Sequence, residues 1–198
     1  MATDVTDGAA RAGVTAAATV TVPGESVVGR PTRWGLRAAS AADVEVIAEL
    51  RATVMRADLE RLGRYDEHRV RQRLRDSFST RHTSIIMTGH ELDRIAGSVT
   101  VRPVEDGALL EHFYLAPCHQ GRGLGSAVLR TVLRRTDRHG VTVRLNVLRG
   151  SAARRLYERH GFVVESEDPV DVFMVRRRSG ASVTSDEDRA TAPALELS

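Results

Sequence analysis

The stretch Leu115-Ala116-Pro117-Cys118-His119-Gln120-Gly121-Arg122-Gly123-Leu124-Gly125-Ser126 decides how this chain is read. Residues 108–115 before it read as a strand, which Pro117 stops because proline has no N–H to give a ladder. After it, residues 125–139 place Val128, Leu129, Val132 and Leu133 on one helical face, together with the preceding Leu124, and Arg130, Arg134, Arg135 and Arg138 on the other. Gly140 stands where such a helix ends. Between strand and helix, glycines at 121, 123 and 125 let backbone N–H groups turn inward with no Cβ in the way. The helix N-terminus adds its partial positive charge. A strand–Gly-rich turn–helix of this kind suits a pyrophosphate, with Arg122 as a cation at its rim. It does not fit the dinucleotide fingerprint G-x-G-x-x-G, because Ser126 falls where the third glycine belongs. The following strand, residues 141–148, offers Arg144 and Asn146 where that fold wants an acid.

Outward from the turn, elements alternate. Residues 33–38 are strand-like. Ser40 caps a helix on which Val44, Ile47, Ala48, Leu50, Val54 and Met55 recur near a period of 3.6, and which breaks at Leu62-Gly63. Residues 66–78 form a second helix rich in arginine. Strands are expected at 83–88, 94–103, 108–115, 141–148, 162–165 and 172–176, and a helix at 151–160 closed by Gly161. That order implies a mixed α/β architecture with helices on the faces of one sheet. Residues 1–32 and 179–198 lack a sustained period and read as disordered tails around a domain at 33–178.

Composition narrows the function. All 29 cations are arginine, since the chain has no lysine. A Walker phosphate loop and a lysine Schiff base are therefore excluded. The net charge is +3 and both tails are net acidic, so the middle of the chain is the more basic and favours an anionic ligand. Cys118 is the single cysteine and cannot form an internal disulfide, which fits a reducing, cytoplasmic setting. No apolar run is long enough to span a membrane and no signal segment is evident. The histidines show no metal-ligand spacing, so no metal is expected. The arginine-rich helix holds Arg69, Arg71, Arg73 and Arg75, but base-stacking aromatics are scarce and nucleic acid is not favoured.

Two motifs now stand in order. Gln120-Gly121-Arg122-Gly123-Leu124-Gly125, preceded by Leu115-Ala116-Pro117, resembles the Gln/Arg-x-x-Gly-x-Gly/Ala signature of the GNAT N-acetyltransferase superfamily. Some 30 residues on, Ser151-Ala152-Ala153-Arg154-Arg155-Leu156-Tyr157-Glu158-Arg159-His160-Gly161-Phe162 resembles that family's Asn-Pro-Ala-x-x-Leu-Tyr-Glu-x-x-Gly-Phe. The departure is at Ser151 and Ala152, where Asn and Pro are common. The resemblance implies a GNAT fold: a central mixed, mostly antiparallel sheet of six to seven strands with about four helices. It implies acetyl-CoA as co-substrate, an amine acceptor and direct attack in a ternary complex, and it admits a homodimer. Acetyl-CoA would lie where residues 108–115 and 141–148 splay apart. Phe113 and Leu115 would pair with pantetheine, and residues 120–126 (Gln120, Gly121, Arg122, Gly123, Leu124, Gly125, Ser126) would hold the pyrophosphate. Asn146, Ser151 and Ala153 would line the same arm.

The chemistry assigns roles. An amine attacks a thioester only when neutral, so a base is needed. A thiol has a reference pKa of about 8.5 and tyrosine about 10, so a phenol can share its proton with a departing thiolate. The resemblance places Tyr157 there; packing against the sheet is its other reading. Glu111 is the candidate base. Strict alternation puts it with Leu109, Phe113 and Leu115 and puts His112, a reserve candidate, on the other face. An ion-paired strand-edge glutamate is the alternative. Asp58 and Tyr65 fall where relatives build the acceptor pocket. Transfer through Cys118 has no assigned base. A non-catalytic acetyl-CoA-binding sensor is the competing function.

Overall fold

Asp43 starts the first long helix. Its carboxylate accepts from the backbone N–H of Ser40 (2.7 Å) and from the Ser40 hydroxyl (2.9 Å), and it pairs with Arg37. In this computed structural model residues 20–22 and 33–177 are described. Helix α1 (Val44–Arg61) follows a short 3-10 turn and ends at Leu62, with Gly63 in the left-handed region at φ +65°. Helix α2 (Glu67–Ser77) is capped by Asp66, whose side chain accepts from the Arg69 N–H at 2.7 Å.

The sheet comprises β1 (Val20–Val22), β2 (Trp34–Ala38), β3 (Thr83–Thr88), β4 (Arg94–Val104), β5 (Gly107–Leu115), β6 (Val143–Leu148), β7 (Val163–Glu167) and β8 (Asp171–Arg176). Its order is β1-β2-β3-β4-β5-β6-β8-β7. Every neighbour is antiparallel except β5 with β6. Seven of these strands fall within residues 33–178, as the motif order implies. The eighth, β1, adds a three-residue edge from within the segment read as a tail, pairing Val20 with Leu36 and Val22 with Trp34. Other residues of 1–32 and 178–198 lie outside the described residues.

Helices cover both faces. On one, α3 (Leu124–Arg138) seats Val128, Leu129, Val132 and Leu133 against Leu110, Val143, Leu145 and Val172, and the short α4 (Ala153–Glu158) adds Tyr157. Full burial of such side chains is worth roughly 1.5–3 kcal/mol each, so this face anchors the turn that precedes α3. On the other, α1 and α2 pack Ile47, Ala48 and Leu74 on Ile85 and Met87. Helix α4 is shorter than its sequence pattern suggests. Ser151 is not its cap: Ala152 is, and the Ser151 hydroxyl only meets the Ala153 N–H at 3.4 Å.

Candidate active site

Strands β5 and β6 pair for only two residues, Ala108 with Val143 and Leu109 with Arg144. Beyond that point they part, as expected of two splayed central strands. The gap is the inner end of a cleft of about 980 Å³ between the α1–α2 layer, the ends of β5 and β6, and the turns before α3 and α4.

The turn before α3 is built to present amides. Gly121 (φ +70°) and Gly123 (φ +81°) both lie in the left-handed region, and a Cβ on either would meet nothing within 4 Å. Among the described residues, the N–H groups of Gly121, Arg122, Gly123, Leu124, Gly125 and Ser126 donate to no backbone carbonyl and no side chain. The first N–H of the helix to find a partner is that of Ala127, to the Gly123 carbonyl at 3.0 Å. Orphaned donors at the start of a fifteen-residue helix, aimed by left-handed glycines, are an anion cradle. Gly125 is glycine for a different reason: a Cβ there would press on Leu115 and Leu156 at 3.3 and 3.4 Å. Gln120, Gly121, Gly123, Gly125 and Ser126 line the cleft. Arg122 and Leu124 do not; Arg122 is exposed and Leu124 packs against the core. The Gln120 amide donates back to the Leu115 carbonyl at 2.8 Å, bracing the turn against the end of β5.

Strand β5 carries a bulge that overturns the expected facing of its side chains. Ser98 pairs with Tyr114 but Thr100 pairs with Glu111, so β5 holds one extra residue there. His112 takes it up at φ +48°, in the left-handed region that histidine enters more readily than most residues other than glycine, and its carbonyl accepts from the buried Ser98 hydroxyl at 2.8 Å. The alternation shifts phase. Leu110, Phe113 and Leu115 face the α3 side. Tyr114 faces α1 and α2, and His112 meets Ser77 of α2. Glu111 points away from Leu110, so it shares its side with His112 rather than with Phe113 and Leu115. It is not a lone carboxylate on an apolar face. Arg102 donates to it from Nε at 3.1 Å, which is the ion-paired alternative, yet Glu111 still lines the cleft.

His112 is held by the interior. The Ser77 hydroxyl lies 2.6 Å from the Arg73 carbonyl and 3.2 Å from His112 Nε2. A hydroxyl that gives its one proton to the carbonyl must accept from Nε2–H, so Nε2 carries a proton, and Nδ1 lies 3.5 Å from the Thr100 hydroxyl. Burial, aided by the charges of Arg51 and Arg102 against that of Glu111, lowers its pKa from 6.5.

Tyr157 lines the cleft, is 7% exposed and packs edge-on against Phe162 at 5.8 Å. Burial, and to a lesser degree the nearby Tyr114 phenol, pushes its pKa well above the usual tyrosine range. Asn146, Ser151, Ala153, Phe113 and Leu115 line the same cleft. The Asn146 amide donates to Asp171 at 3.1 Å.

Of the residues expected near the acceptor, Asp58 reaches the cleft wall, where Arg61 pairs with it at 3.1 Å. Tyr65 does not line the cleft. It packs with Ala52, Leu59 and Val70, and the Arg56 guanidinium lies 4.8 Å from its ring centre. Arg51, Tyr114, Arg69 and Arg73 line the cleft without having been singled out for it. Arg51 had a signal, since it stands between Ile47, Ala48, Val54 and Met55 on an otherwise apolar stripe. Among the described residues no group of three or more His, Cys, Asp or Glu is placed to hold a metal, and no helix is long and apolar enough to cross a membrane.

Residues 81–164 match the family model described as "Acetyltransferase (GNAT) domain". That span holds β5, the amide turn, α3, β6 and α4. Among solved structures the fold is similar to PaiA N-acetyltransferase from Thermoplasma acidophilum in complex with coenzyme A (TM-score 0.58, 20% identity, 73% of this chain and 98% of that one). It is similar also to the ribosomal-protein-S18-alanine N-acetyltransferase of Escherichia coli (TM-score 0.56, 19% identity, 76% and 97%). An N-acetyltransferase from Staphylococcus aureus Mu50 is a third (TM-score 0.54, 17% identity, 71% and 98%). No curated protein matches the chain by sequence.

Proposed function

We propose that this chain, which belongs to the GNAT acetyltransferase superfamily, moves an acetyl group from acetyl-CoA to an amine by direct attack within a ternary complex. One observation carries the reading: among the described residues the six successive amides from Gly121 to Ser126 have no partner, and Gly121, Gly123, Gly125 and Ser126 line the same cleft as Tyr157. A diphosphate fits that cradle, because its oxygens supply the acceptors those donors lack.

In this reading Gly121 to Ser126 hold the diphosphate, with Arg122 and Leu124 contributing their backbone N–H groups. Phe113, Leu115, Asn146, Ser151 and Ala153 line the wall for the pantetheine arm. Acetyl-CoA, when bound, supplies an activated acyl group and a thiolate leaving group. Glu111 takes the proton of the amine, directly or through water, so that the nitrogen lone pair is free to attack. Arg102, 3.1 Å away, orients Glu111 for that task. Tyr157 holds its proton throughout the neutral range, and offers it to the sulfur as negative charge develops there. Burial of the phenol excludes competing water from that hydrogen bond. Asp58 contributes to the acceptor wall.

The test is free-thiol release from acetyl-CoA against a panel of amines, with CoA binding measured by isothermal titration. Thiol release that requires an amine and yields its N-acetyl product is the expected result. Binding without release for any amine would make the chain a CoA-binding sensor instead, and absence of binding would remove the diphosphate cradle as well.

A further inference from the structure

The cleft is walled by charged side chains of both signs, and the two signs differ in how far the protein itself already engages them. Its carboxylates are Asp58, Asp66, Glu111, Asp168 and Asp171. Each is engaged within the protein. Asp58 pairs with Arg61 and Glu111 with Arg102. Asp66 accepts from the Arg69 N–H at the start of α2. Asp168 accepts from the N–H groups of Val170 and Asp171, both at 2.7 Å, and Asp171 accepts from Asn146.

The cations are arranged oppositely. Helix α2 sorts its arginines by face. Arg71 and Arg75 turn to α1 and pair with Glu49 at 2.6 Å and Glu45 at 2.7 Å. Arg69 and Arg73, one turn apart, line the cleft and have no carboxylate partner among the described residues; nor has Arg64. Arg51 reaches in from α1. Its Nη1 donates to Tyr114, while its Nε is buried with no partner at all. An orphaned guanidinium donor at the protein interior is costly, and a ligand oxygen is the natural means of satisfying it. Four guanidinium groups whose forks are not spent on protein carboxylates make a receptor for an anion, since arginine matches carboxylate and phosphate oxygens in paired hydrogen bonds.

We infer that the acceptor is a small amine that also carries an anionic group, a carboxylate or a phosphonate, held by Arg51, Arg69 and Arg73 while its amino group faces Glu111. This rests on the acetyltransferase reading above and narrows it. Asp58, which the sequence places near the acceptor, is already paired with Arg61 at 3.1 Å.

The test uses the full chain and matched amines: ω-amino acids, their carboxamides, and aminoalkylphosphonates of equal length. Thiol release is followed for each, and binding of the same compounds is titrated into protein saturated with CoA. The acid members are expected to exceed their carboxamides by at least about tenfold in kcat/KM and in affinity. Whether carboxylate or phosphonate is the better arm identifies which anion the site takes. Arg73→Gln and Arg69→Gln, both at exposed positions, should erase that preference through KM, with CoA affinity retained, whereas Arg130→Gln on the outer face of α3 should leave it intact. Equal use of acid and carboxamide overturns the inference and leaves the acetyltransferase reading standing. Preferential binding of the acids without turnover supports the anion site and sinks the catalytic reading. Failure of every compound to bind the CoA-loaded protein overturns the anion site directly.

Discussion

Arg51 Nη1 donates to the Tyr114 phenol at 2.6 Å, and its guanidinium carbon lies 5.8 Å from the centre of that ring. The pair ties α1 to the bulged end of β5 and sets a polar oxygen near Tyr157. Burial raises the pKa of both cleft tyrosines, and they differ in their partners: the Tyr114 oxygen accepts from a cation of the protein, whereas the Tyr157 phenol has no protein hydrogen-bond partner among the described residues.

Tyr157→Phe is therefore expected to lower kcat by about 100-fold, within the range typical of a lost general acid, and to change CoA affinity by less than about twofold. Tyr114→Phe should act mainly on stability, costing about 1.5–3 kcal/mol for the lost charged hydrogen bond. Thiol-release kinetics beside urea unfolding of both variants separates the roles. An unchanged kcat in Tyr157→Phe removes the phenol from the chemistry.

Gly123→Val tests the amide cradle. The site is open enough for a side chain, so the variant should fold. A branched residue is nonetheless strained at φ +81° and would hang over the free N–H groups. CoA affinity should fall by at least about 100-fold while circular dichroism stays that of the parent. Gly125→Val should instead lose stability, because its side chain meets Leu115 and Leu156. Full CoA affinity in Gly123→Val would contradict the placement of the diphosphate.

The two ends of the cleft differ in how far the chain betrays them. The diphosphate end is local: a strand, three glycines and a helix within a dozen residues, and their spacing carries its own geometry. Tyr157 is legible too, through the Leu156-Tyr157-Glu158 and Gly161-Phe162 pattern. The β5 bulge is not, because a period-two reading assumes an unbroken ladder, and nothing in Glu111-His112-Phe113 announces an extra residue. That single insertion moved His112 to the side of Glu111 and separated Glu111 from Phe113. The acceptor wall is harder still. Whether Arg71 or Arg73 is free depends on where Glu49 lies on another helix, a tertiary fact with no local signature. Tyr65 illustrates the same limit, since it packs with Ala52, Leu59 and Val70 beneath Arg56 rather than lining the cleft.

His112 makes stability depend on pH in a defined direction. Its folded pKa is lowered from 6.5 by burial first, with Arg51 and Arg102 opposing Glu111 around it. The unfolded chain therefore binds the proton more readily, and stability should fall as pH drops below about 6.5 toward the depressed folded value. His112→Asn keeps a residue type tolerant of positive φ and removes that titration. Urea midpoints from pH 7.5 to 5 should fall for the parent and fall less for the variant. An identical slope in both would assign the pH dependence to other groups.

Asp43 provides the acid-side counterpart. It is 5% exposed, pairs with both Nη atoms of Arg37 at 2.6 and 2.9 Å, and accepts from the Ser40 N–H and hydroxyl. The Arg37 hydrogen bonds, joined by those of Ser40, hold its carboxyl far below the usual 3.8 despite burial. A carboxylate with a depressed folded pKa stabilises the protein fully above the unfolded value and loses that contribution as pH falls below about 3.8. Asp43→Asn keeps the shape but cannot answer the Arg37 charge. With Arg37 still about a third exposed, the cost at pH 7 should be about 2 kcal/mol rather than the full value of a buried pair. Because β2 and α1 meet at this pair, the loss should show as a lower unfolding midpoint with CoA affinity unchanged. The difference between parent and variant should shrink as both are taken below pH 3; a difference that stays constant to that pH would mean the carboxylate charge is not what holds the corner together.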